Sequence, residues 1–355
     1  MKLLIEAGNA VVATVDGRIT DDLENSDVVL RIPDGELLPG LINAHDHLHR
    51  NHYGRLGHPP YQDAYAWGED VHVRDRETIE RARAWPRRDA LLYGAWKNLL
   101  SGVTTVVHHD RWEQDFESDF PLRVVRVRNG HSLGLEPELH EAIGSGPFFV
   151  HAAEGVDQRT ADEIRLLQER GLLNEQLCAV HVVGADTEGV SMLRSVGAAV
   201  VWCPSSNLFL FNRTMPADLV APGIDVMIGT DSLLTGAGSM LDELRVAASL
   251  GLLDERRLYA AVSEVPARRL GLESPSLAVG APADVIVLRK PIGEATAEDV
   301  AVVVAGGLTR VLAPDLVTQL REHAGHGSRL DAFGVSRWVD QRVNVPRSTL
   351  QARLA

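Results

Sequence analysis

Four histidines lie within eleven residues of one short stretch, INAHDHLHRNH at 42–52. They are His45, His47, His49 and His52. Histidine is the most common metal ligand in proteins and also the side chain that titrates near neutral pH. In an extended strand, side chains two residues apart point to the same face, so the first two histidines can contact one ion. Two solvated histidines at a strand end would give the same pattern.

The later two histidines of this stretch lie past the expected end of the strand, in a loop. A compact site for one metal ion is already supplied without them. His49 and His52 are therefore predicted to face substrate or solvent, and His49 is our choice for a substrate contact.

Polar side chains recur where later apolar runs end. From residue 37 onward, short apolar runs alternate with amphipathic helical stretches, which is typical of βα units and a parallel sheet. The polar residues at the ends of these runs are His108, His109, His131, His151, Glu154, His181, Ser206, Asn207 and Asp231. In a (β/α) barrel the active site is built at the carboxyl edge of the strands. The pattern therefore predicts one site assembled from many strand ends.

Three of these residues are predicted to be catalytic. Glu154 follows His151 by three residues, so its carboxylate can reach the same cavity and move protons between an attacking water and a leaving group. An ordinary acid at a helix N-terminus is the alternative. Asp231 ends the run in GTDS, where it fits either an ionised ligand that accepts a proton or a helix N-cap. His181, after an apolar run, is either part of the site or a buried core histidine.

Two further residues are predicted to contact substrate. Adjacent residues of a strand face opposite sides, so at most one of His108 and His109 points inward, and His109 is our choice for the pocket wall. Asn207, at the end of AAVVWCPSSN, is the other expected contact.

The composition narrows the class of protein. The 355 residues include 45% hydrophobic and 24% charged side chains, which is ordinary for a soluble globular protein. A net charge of −14 disfavours a nucleic-acid partner. The sequence has no pattern of a secretory signal or of a membrane span, and its two cysteines do not form a disulfide framework. We expect a cytoplasmic protein that acts on a small molecule and binds neither nucleic acid nor membrane.

The ordered motifs resemble those of the metal-dependent amidohydrolase superfamily. They are most similar to its cytosine-deaminase and chlorohydrolase-like branch, which includes guanine deaminase and S-adenosylhomocysteine deaminase. The resemblance extends from about residue 30 to about residue 290. Its motifs are LPGLINAHDHLH, SGVTTVVHHD, VHAAEG, VHVVGADTEGVSMLRSVGAAVVWCPSSN, GTDS, VPARRLGL and LAVGAPADVIVL.

The resemblance implies an α/β fold, a distorted TIM-type (β/α)8 barrel with a small β-sandwich made from both chain ends. On this basis residues 37–274 form the barrel, 1–36 and 275–320 form the sandwich, and 321–355 are a polar C-terminal extension. Only one strand-like run, PLRVVRVRNGH, lies where the family fits two βα units. One unit is therefore missing or reduced to RWEQDFESDFP, and the barrel is abbreviated.

The resemblance also implies a metal centre. His45, His47, His151 and Asp231 would hold one divalent transition metal per chain, with Zn²⁺ the first choice and Fe²⁺ suited to the same ligands. Glu154 would shuttle protons, His181 would orient the attacking water or polarise the substrate, and His131 would contact the substrate. Relatives with two metals bridge them with a carboxylated lysine, but no lysine lies between Lys97 and Lys290, so one metal is expected.

The expected enzyme is a metal-dependent hydrolase of non-peptide C–N bonds. Attack of an activated water on an amino-heterocycle would release ammonia, and the His-Ala-Ala-Glu arrangement favours this deamination. Ring-opening hydrolysis of a cyclic amide, of the imidazolonepropionase kind, is the alternative. A non-catalytic scaffold with this fold is disfavoured because the chain keeps every ligand position. A homodimer is compatible with the resemblance.

Overall fold

The N-terminal strands form a sheet of their own. The computed structural model describes residues 1–136, 138, 139 and 144–340. The first strands are β1 (Leu3–Ala7), β2 (Ala10–Val15), β3 (Arg18–Thr20) and β4 (Val28–Ile32), in the spatial order β3-β2-β1-β4. The next strand, β5 (Glu36–Pro39), leaves this sheet and pairs with a strand at 285–288. The first 40 residues therefore contribute to two sheets.

Parallel strands with buried side chains follow. They are β6 (Leu41–Asp46), β7 (Val103–His108), β8 (Arg123–Val125), β9 (Arg128–Ser132), β10 (Phe148–Ala152), β11 (Leu177–His181), β12 (Ala199–Trp202) and β13 (Asp225–Ile228). Hydrogen bonds join them as β6-β7-β8 and as β9-β10-β11-β12-β13. The backbone N–H of Asp231 donates to the carbonyl of His45 at 3.0 Å, which brings the end of β13 beside β6. This close approach of the two segments requires a glycine at 229, because a Cβ there would lie 2.9 Å from the backbone nitrogen of His45.

One extended segment serves as two barrel strands. Only Arg126 and Val127 separate β8, which pairs with β7, from β9, which pairs with β10. A parallel crossover needs about a dozen residues, so no βα unit fits between them. The barrel is abbreviated at this point, as the single apolar run predicts, and RWEQDFESDFP contributes a 3₁₀ turn at Gln114–Glu117.

Helices cover the outside of the barrel, and several begin at an acidic or serine N-cap. The helices are α1 (Ala64–Arg74), α2 (Arg76–Arg83), α3 (Arg87–Leu99), α4 (Gln158–Ala161), α5 (Glu163–Glu169), α6 (Thr187–Ser195), α7 (Pro204–Phe211), α8 (Met240–Leu250), α9 (Glu255–Ala260) and α10 (Glu264–Leu270). The caps of α1, α4, α6 and α9 are aspartates whose side chains accept backbone N–H groups. Within the described ranges, every helix is too short or too polar to cross a membrane.

The C-terminal strands complete a sandwich with the N-terminal sheet. They are β14 (Val285–Leu288), β15 (Val300–Ala305), β16 (Leu308–Leu312), β17 (Gly327–Ala332) and β18 (Val335–Asp340), in the order β17-β18-β16-β15-β14-β5. A shared core packs Leu3 and Ile5 of the first sheet against Val287 and Trp338 of the second. The predicted α/β fold with a sandwich made from both chain ends is confirmed.

The boundary predicted near residue 320 differs from the structure. Instead of a polar extension, β17 and β18 form a hairpin that adds to the sheet through residue 340. In β17 the exposed Arg329 and Asp331 alternate with the buried Leu330 and Ala332, and most of β18 is buried, so a polar composition hides two strands of the sheet. The rest of the predicted extension, 341–355, lies outside the described residues.

Candidate active site

The strand ends bring the predicted histidines into one cluster. His45 lies on β6 and His47 directly follows it, while His151 lies on β10 and His181 ends β11. The ring of His45 is 5.0 Å from the rings of both His47 and His151, centroid to centroid, and the ring of His151 is 5.4 Å from that of His181. The carboxyl ends of parallel strands meet at one edge of the barrel, which explains why residues so distant in sequence meet here.

The backbone is left-handed at three of these strand ends. The φ angles are +50° at Ala153, +73° at His181 and +51° at Asp231. Residues other than glycine adopt this region at a cost, and such positions cluster at functional sites. The turns direct the side chains that follow β10, β11 and β13 toward the centre of the barrel mouth.

Hydrogen bonds fix the orientation of the Asp231 carboxylate. Its Oδ2 accepts from Ser206 Oγ at 2.9 Å and from Thr235 Oγ1 at 2.8 Å. Its Oδ1 lies 3.8 Å from Nε2 of His45 and 3.8 Å from Nε2 of His47. This separation is too long for a hydrogen bond. It matches the roughly 3–4 Å between two atoms that each lie about 2 Å from one ion.

His45 has the features expected of a metal ligand. Its side chain is 0% exposed, and neither ring nitrogen has a hydrogen-bond partner in the described part of the chain. A buried polar atom without a partner is rare because it is costly. Burial lowers the pKa of His45 well below its usual range, so the ring is neutral, which is the form that binds metals. The residues present therefore fit a divalent transition metal.

His151 and His109 are each oriented by a backbone carbonyl. His151 Nδ1 donates to the carbonyl of His131 at 2.6 Å, which leaves Nε2 without a proton. His109 Nε2 donates to the carbonyl of Gly130 at 3.0 Å, and its Nδ1 is buried without a partner among the residues described. A hydrogen bond to one ring nitrogen is the usual way to prepare the other for a metal.

Two of the groups of candidate ligands in the described residues overlap at His45. His45, His47 and Asp231 form one, and His45, His109 and His151 form the other, with the ligand atoms in each group within 4.8 Å of one another. His109 thus lies inside the histidine cluster, 2% exposed, instead of on the predicted pocket wall. His109 follows β7 and points inward, as predicted for one of the two adjacent histidines. It lies below the cavity and does not line it.

Glu154 and His181 form a pair beside this cluster. Glu154 Oε1 is 3.4 Å from His181 Nε2, and His181 Nδ1 donates to Asn207 Oδ1 at 2.8 Å. Burial, and next the charge of Asp231, raise the pKa of Glu154 well above its usual range. Asn207 is 0% exposed and lies behind His181 on α7, so the structure gives it a positioning contact in place of the predicted substrate contact.

A buried ion pair that the sequence did not reveal supports the ligands from behind. Lys97 Nζ on α3 is 2.9 Å from Asp46 Oδ2, and it donates to the carbonyl of Asp231 at 3.2 Å and to Thr230 Oγ1 at 3.0 Å. Asn98 also donates to Asp46 Oδ2, at 2.7 Å. Lys97 therefore links the Asp46 side chain of β6 to the backbone of the segment after β13. The sequence offers one hint of this ion pair: Asp46 lies between two histidines, and the chain has only three lysines that could neutralise it.

A cavity of about 450 Å³ opens above the cluster. His47, His151, Glu154, His181 and Asp231 line its floor, and the segment from residue 49 to residue 87 supplies much of its wall. His49 and His131, the substrate contacts expected from the sequence, also line it. Burial, and next the positive charge of Arg50, lower the pKa of His131 to about 4.

His52 is directed away from the cavity. Its Nε2 donates to the carbonyl of Ala82 at 2.9 Å, and its ring stacks on Trp85 at 4.4 Å. It helps to attach the 3₁₀ turn Leu48–Tyr53 to α2 and belongs to the packing of the wall.

Comparisons with known proteins identify the family. The sequence pattern of the amidohydrolase family matches residues 130–310. The chain is 32% identical over 316 residues to the 5-methylthioadenosine/S-adenosylhomocysteine deaminase of Halobacterium salinarum, covering 71% of this chain and 72% of that protein. A match of 34% identity over 170 residues to the enzyme of the same name from Pyrococcus furiosus covers 41% of this chain and 39% of that protein.

A solved structure agrees in fold. An adenosine deaminase from Xanthomonas campestris with bound zinc superposes with a TM-score of 0.63 at 20% identity, covering 91% of this chain and 97% of that one. The chain belongs to the amidohydrolase family. The predicted class of enzyme, a hydrolase that acts on C–N bonds, is confirmed at that level.

Proposed function

We propose that this protein is a metal-dependent deaminase that releases ammonia from an amino-heterocycle. The observation that carries the proposal is the Glu154 carboxyl group, 3.4 Å from His181 Nε2, at the floor of a cavity that also exposes His151 and Asp231. Deamination needs a proton donor beside the leaving nitrogen and an acceptor beside the attacking water, and these residues supply both. The names of the relatives from Halobacterium and Pyrococcus support the same reaction.

His45, His47, His151 and Asp231 are the proposed metal ligands, with His109 as a fifth donor of the same cluster. A bound Zn²⁺ or Fe²⁺ would supply a strong electrophile and a water that ionises near neutral pH. We propose one ion per chain because His45, His47, His151 and Asp231 belong to overlapping groups of ligand atoms and β9 carries no lysine that could bridge two ions.

The remaining chemistry is the work of this chain's own side chains. As water attacks the ring carbon, Asp231 takes the proton that the water loses through Oδ1, the oxygen turned toward the histidines. Glu154 gives a proton to the amino nitrogen as the C–N bond breaks and ammonia leaves. His181 faces Glu154 with an unprotonated Nε2, because its Nδ1 proton is bound by Asn207, and it orients that acid.

The test is ammonia release from amino-purines, amino-pyrimidines, pterins and triazines by the Zn²⁺-loaded protein. The Glu154→Gln protein is the matched control, since it keeps the shape of the side chain and loses the acid. Ammonia from the wild type alone supports the proposal and identifies the ring. If both proteins hold about one metal per chain and neither releases ammonia from any compound, the proposal is wrong, and cyclic amides become the substrates to assay.

A further inference from the structure

The outer part of the active-site cavity is positively charged. Arg50, Arg83 and Arg87 line the same cavity as Glu154 and Asp231. They come from three neighbouring segments: the 3₁₀ turn after β6, the end of α2 and the start of α3. The chain as a whole is acidic, with 49 carboxylate residues against 35 lysines and arginines, so the charge of this wall is opposite to that of the protein.

The three arginines differ in their partners. Arg87 lies 2.6 Å from Glu113 Oε1 and 3.5 Å from Asp110 Oδ2, so protein carboxylates neutralise its charge. Arg50 Nε reaches only a ring nitrogen of His49, at 3.4 Å, and Arg83 Nη2 lies 3.4 Å from a ring nitrogen of His72. Neither of these two forms an ion pair with a carboxylate of the described residues.

An apolar surface lines the same cavity as these two guanidinium groups. Leu56, Trp67, Ile79 and Leu234 belong to it and pack together in one cluster. The cavity therefore combines a polar reactive floor, an apolar surface and a cationic side. A flat heterocycle with a polar reacting edge and an anionic substituent matches this set of surfaces.

We infer that the substrate carries a carboxylate or phosphate tail and that Arg50 and Arg83 bind it. The inference rests on the proposed function, because it assigns a substrate class to the same cavity. Guanidinium groups present planar forks of N–H donors that match the oxygen pairs of carboxylate and phosphate. A neutral substrate would leave both guanidinium groups without a direct ion pair to any carboxylate of the described residues.

The test compares pairs of compounds that share a ring and differ in the tail. Suitable pairs are adenosine with adenosine 5′-monophosphate, adenosine with adenosine-5′-carboxylate, and pterin with pterin-6-carboxylate. For the ring that is deaminated, kcat/KM should be higher for the anionic member. The first pair reports a preference for phosphate, and the other two report a preference for carboxylate.

The variants Arg50→Gln and Arg83→Gln, singly and together, assign that preference to residues. The double variant should lower kcat/KM for the anionic member by roughly 10-fold to 100-fold, as expected for lost charge-assisted hydrogen bonds. The neutral member should change by less than about 3-fold, because it makes no such bonds. Arg256→Gln, on the exposed face of α9, removes one positive charge away from the cavity and should change neither member.

Binding to the Glu154→Gln protein, measured by calorimetry, separates failure of this inference from failure of the proposed function. If no compound of any pair releases ammonia, the proposed function is wrong. Tighter binding of the anionic members would still support the inference that Arg50 and Arg83 bind an anionic tail. Equal kcat/KM and equal affinity within each pair, or a preference that survives the double arginine variant, would overturn the inference.

Discussion

The floor and the outer wall of the cavity are built in different ways. The floor consists of strand ends, where short hydrogen bonds hold several side chains: Asp231 is held by Ser206 and Thr235, and His181 by Asn207. The wall comes from α1, α2 and the 3₁₀ turn after β6, where Arg50 and Arg83 each have one long contact. A barrel holds its reacting groups rigidly and varies the loops that recognise substrate.

Removing a ligand from the floor should have the largest effect. His45→Ala should lose the metal and lower kcat/KM by roughly 10³-fold or more, because a Lewis-acid centre supplies several kcal/mol of transition-state stabilisation. Metal content by plasma emission spectrometry and ammonia release by the same sample are the measurements. His52→Ala is the matched control from the wall, since its ring packs on Trp85, and it should keep its metal. A metal-free His52→Ala protein would contradict the ligand assignment.

Glu154→Gln separates catalysis from metal binding within the floor. We expect a loss of about 10²- to 10⁴-fold in kcat, typical of a positioned acid or base, with metal content unchanged. The amide has the size of the acid and cannot deliver a proton to the leaving nitrogen. Retention of more than a tenth of the wild-type kcat would show that another group protonates the leaving amino nitrogen.

The sequence predicted the floor better than the wall, for a physical reason. A parallel strand buries both faces and stops at a polar residue, so each apolar run marks one residue at the mouth of the barrel. That pattern located His45, His47, His151, His181 and Asp231. The sandwich made from both chain ends was predicted from the family resemblance and not from this pattern.

Contacts between distant segments were out of reach of this reasoning. Lys97 lies in the last turn of α3, and nothing in its local pattern indicates that it meets Asp46 and the carbonyl of Asp231. Arg50 and Arg83 are ordinary polar residues of a turn and a helix end until the fold places them around one cavity. His109 was assigned to the wall because a strand pattern gives the direction of a side chain but not its depth.

Lys97→Met tests whether the floor depends on the ion pair behind it. The variant leaves Asp46 as a buried charge without its cation, so we expect the free energy of unfolding to fall by about 3–5 kcal/mol. Metal affinity should fall by about 10- to 100-fold, as for other residues that orient ligands. The double variant Lys97→Met, Asp46→Asn removes both charges and should recover much of the stability. Equal metal affinity in wild type and Lys97→Met would limit Lys97 to a structural role.

The smallest expected effect concerns a carboxylate below the floor, Glu243 on α8. Its oxygens accept the backbone N–H of Ser205 at 3.0 Å and the Ser205 hydroxyl, next to the residue that holds Asp231. Burial raises the pKa of Glu243 from 4.5 to about 7. Between these two pH values the unfolded chain loses this proton while the folded protein keeps it. The contribution of the protonated Glu243 to the free energy of unfolding is therefore complete below about pH 4.5. It is lost as the pH rises through about 7, a change of about 3 kcal/mol.

Glu243→Gln removes this titration and keeps a group that can donate to Ser205 Oγ and accept from its N–H. The variant should gain stability relative to wild type between pH 5 and pH 8, measured by urea unfolding at saturating metal. Glu169→Gln, an exposed change on α5, should show a difference from wild type that does not vary with pH over this range. A constant difference for Glu243→Gln as well would mean that Glu243 is already ionised in the folded protein.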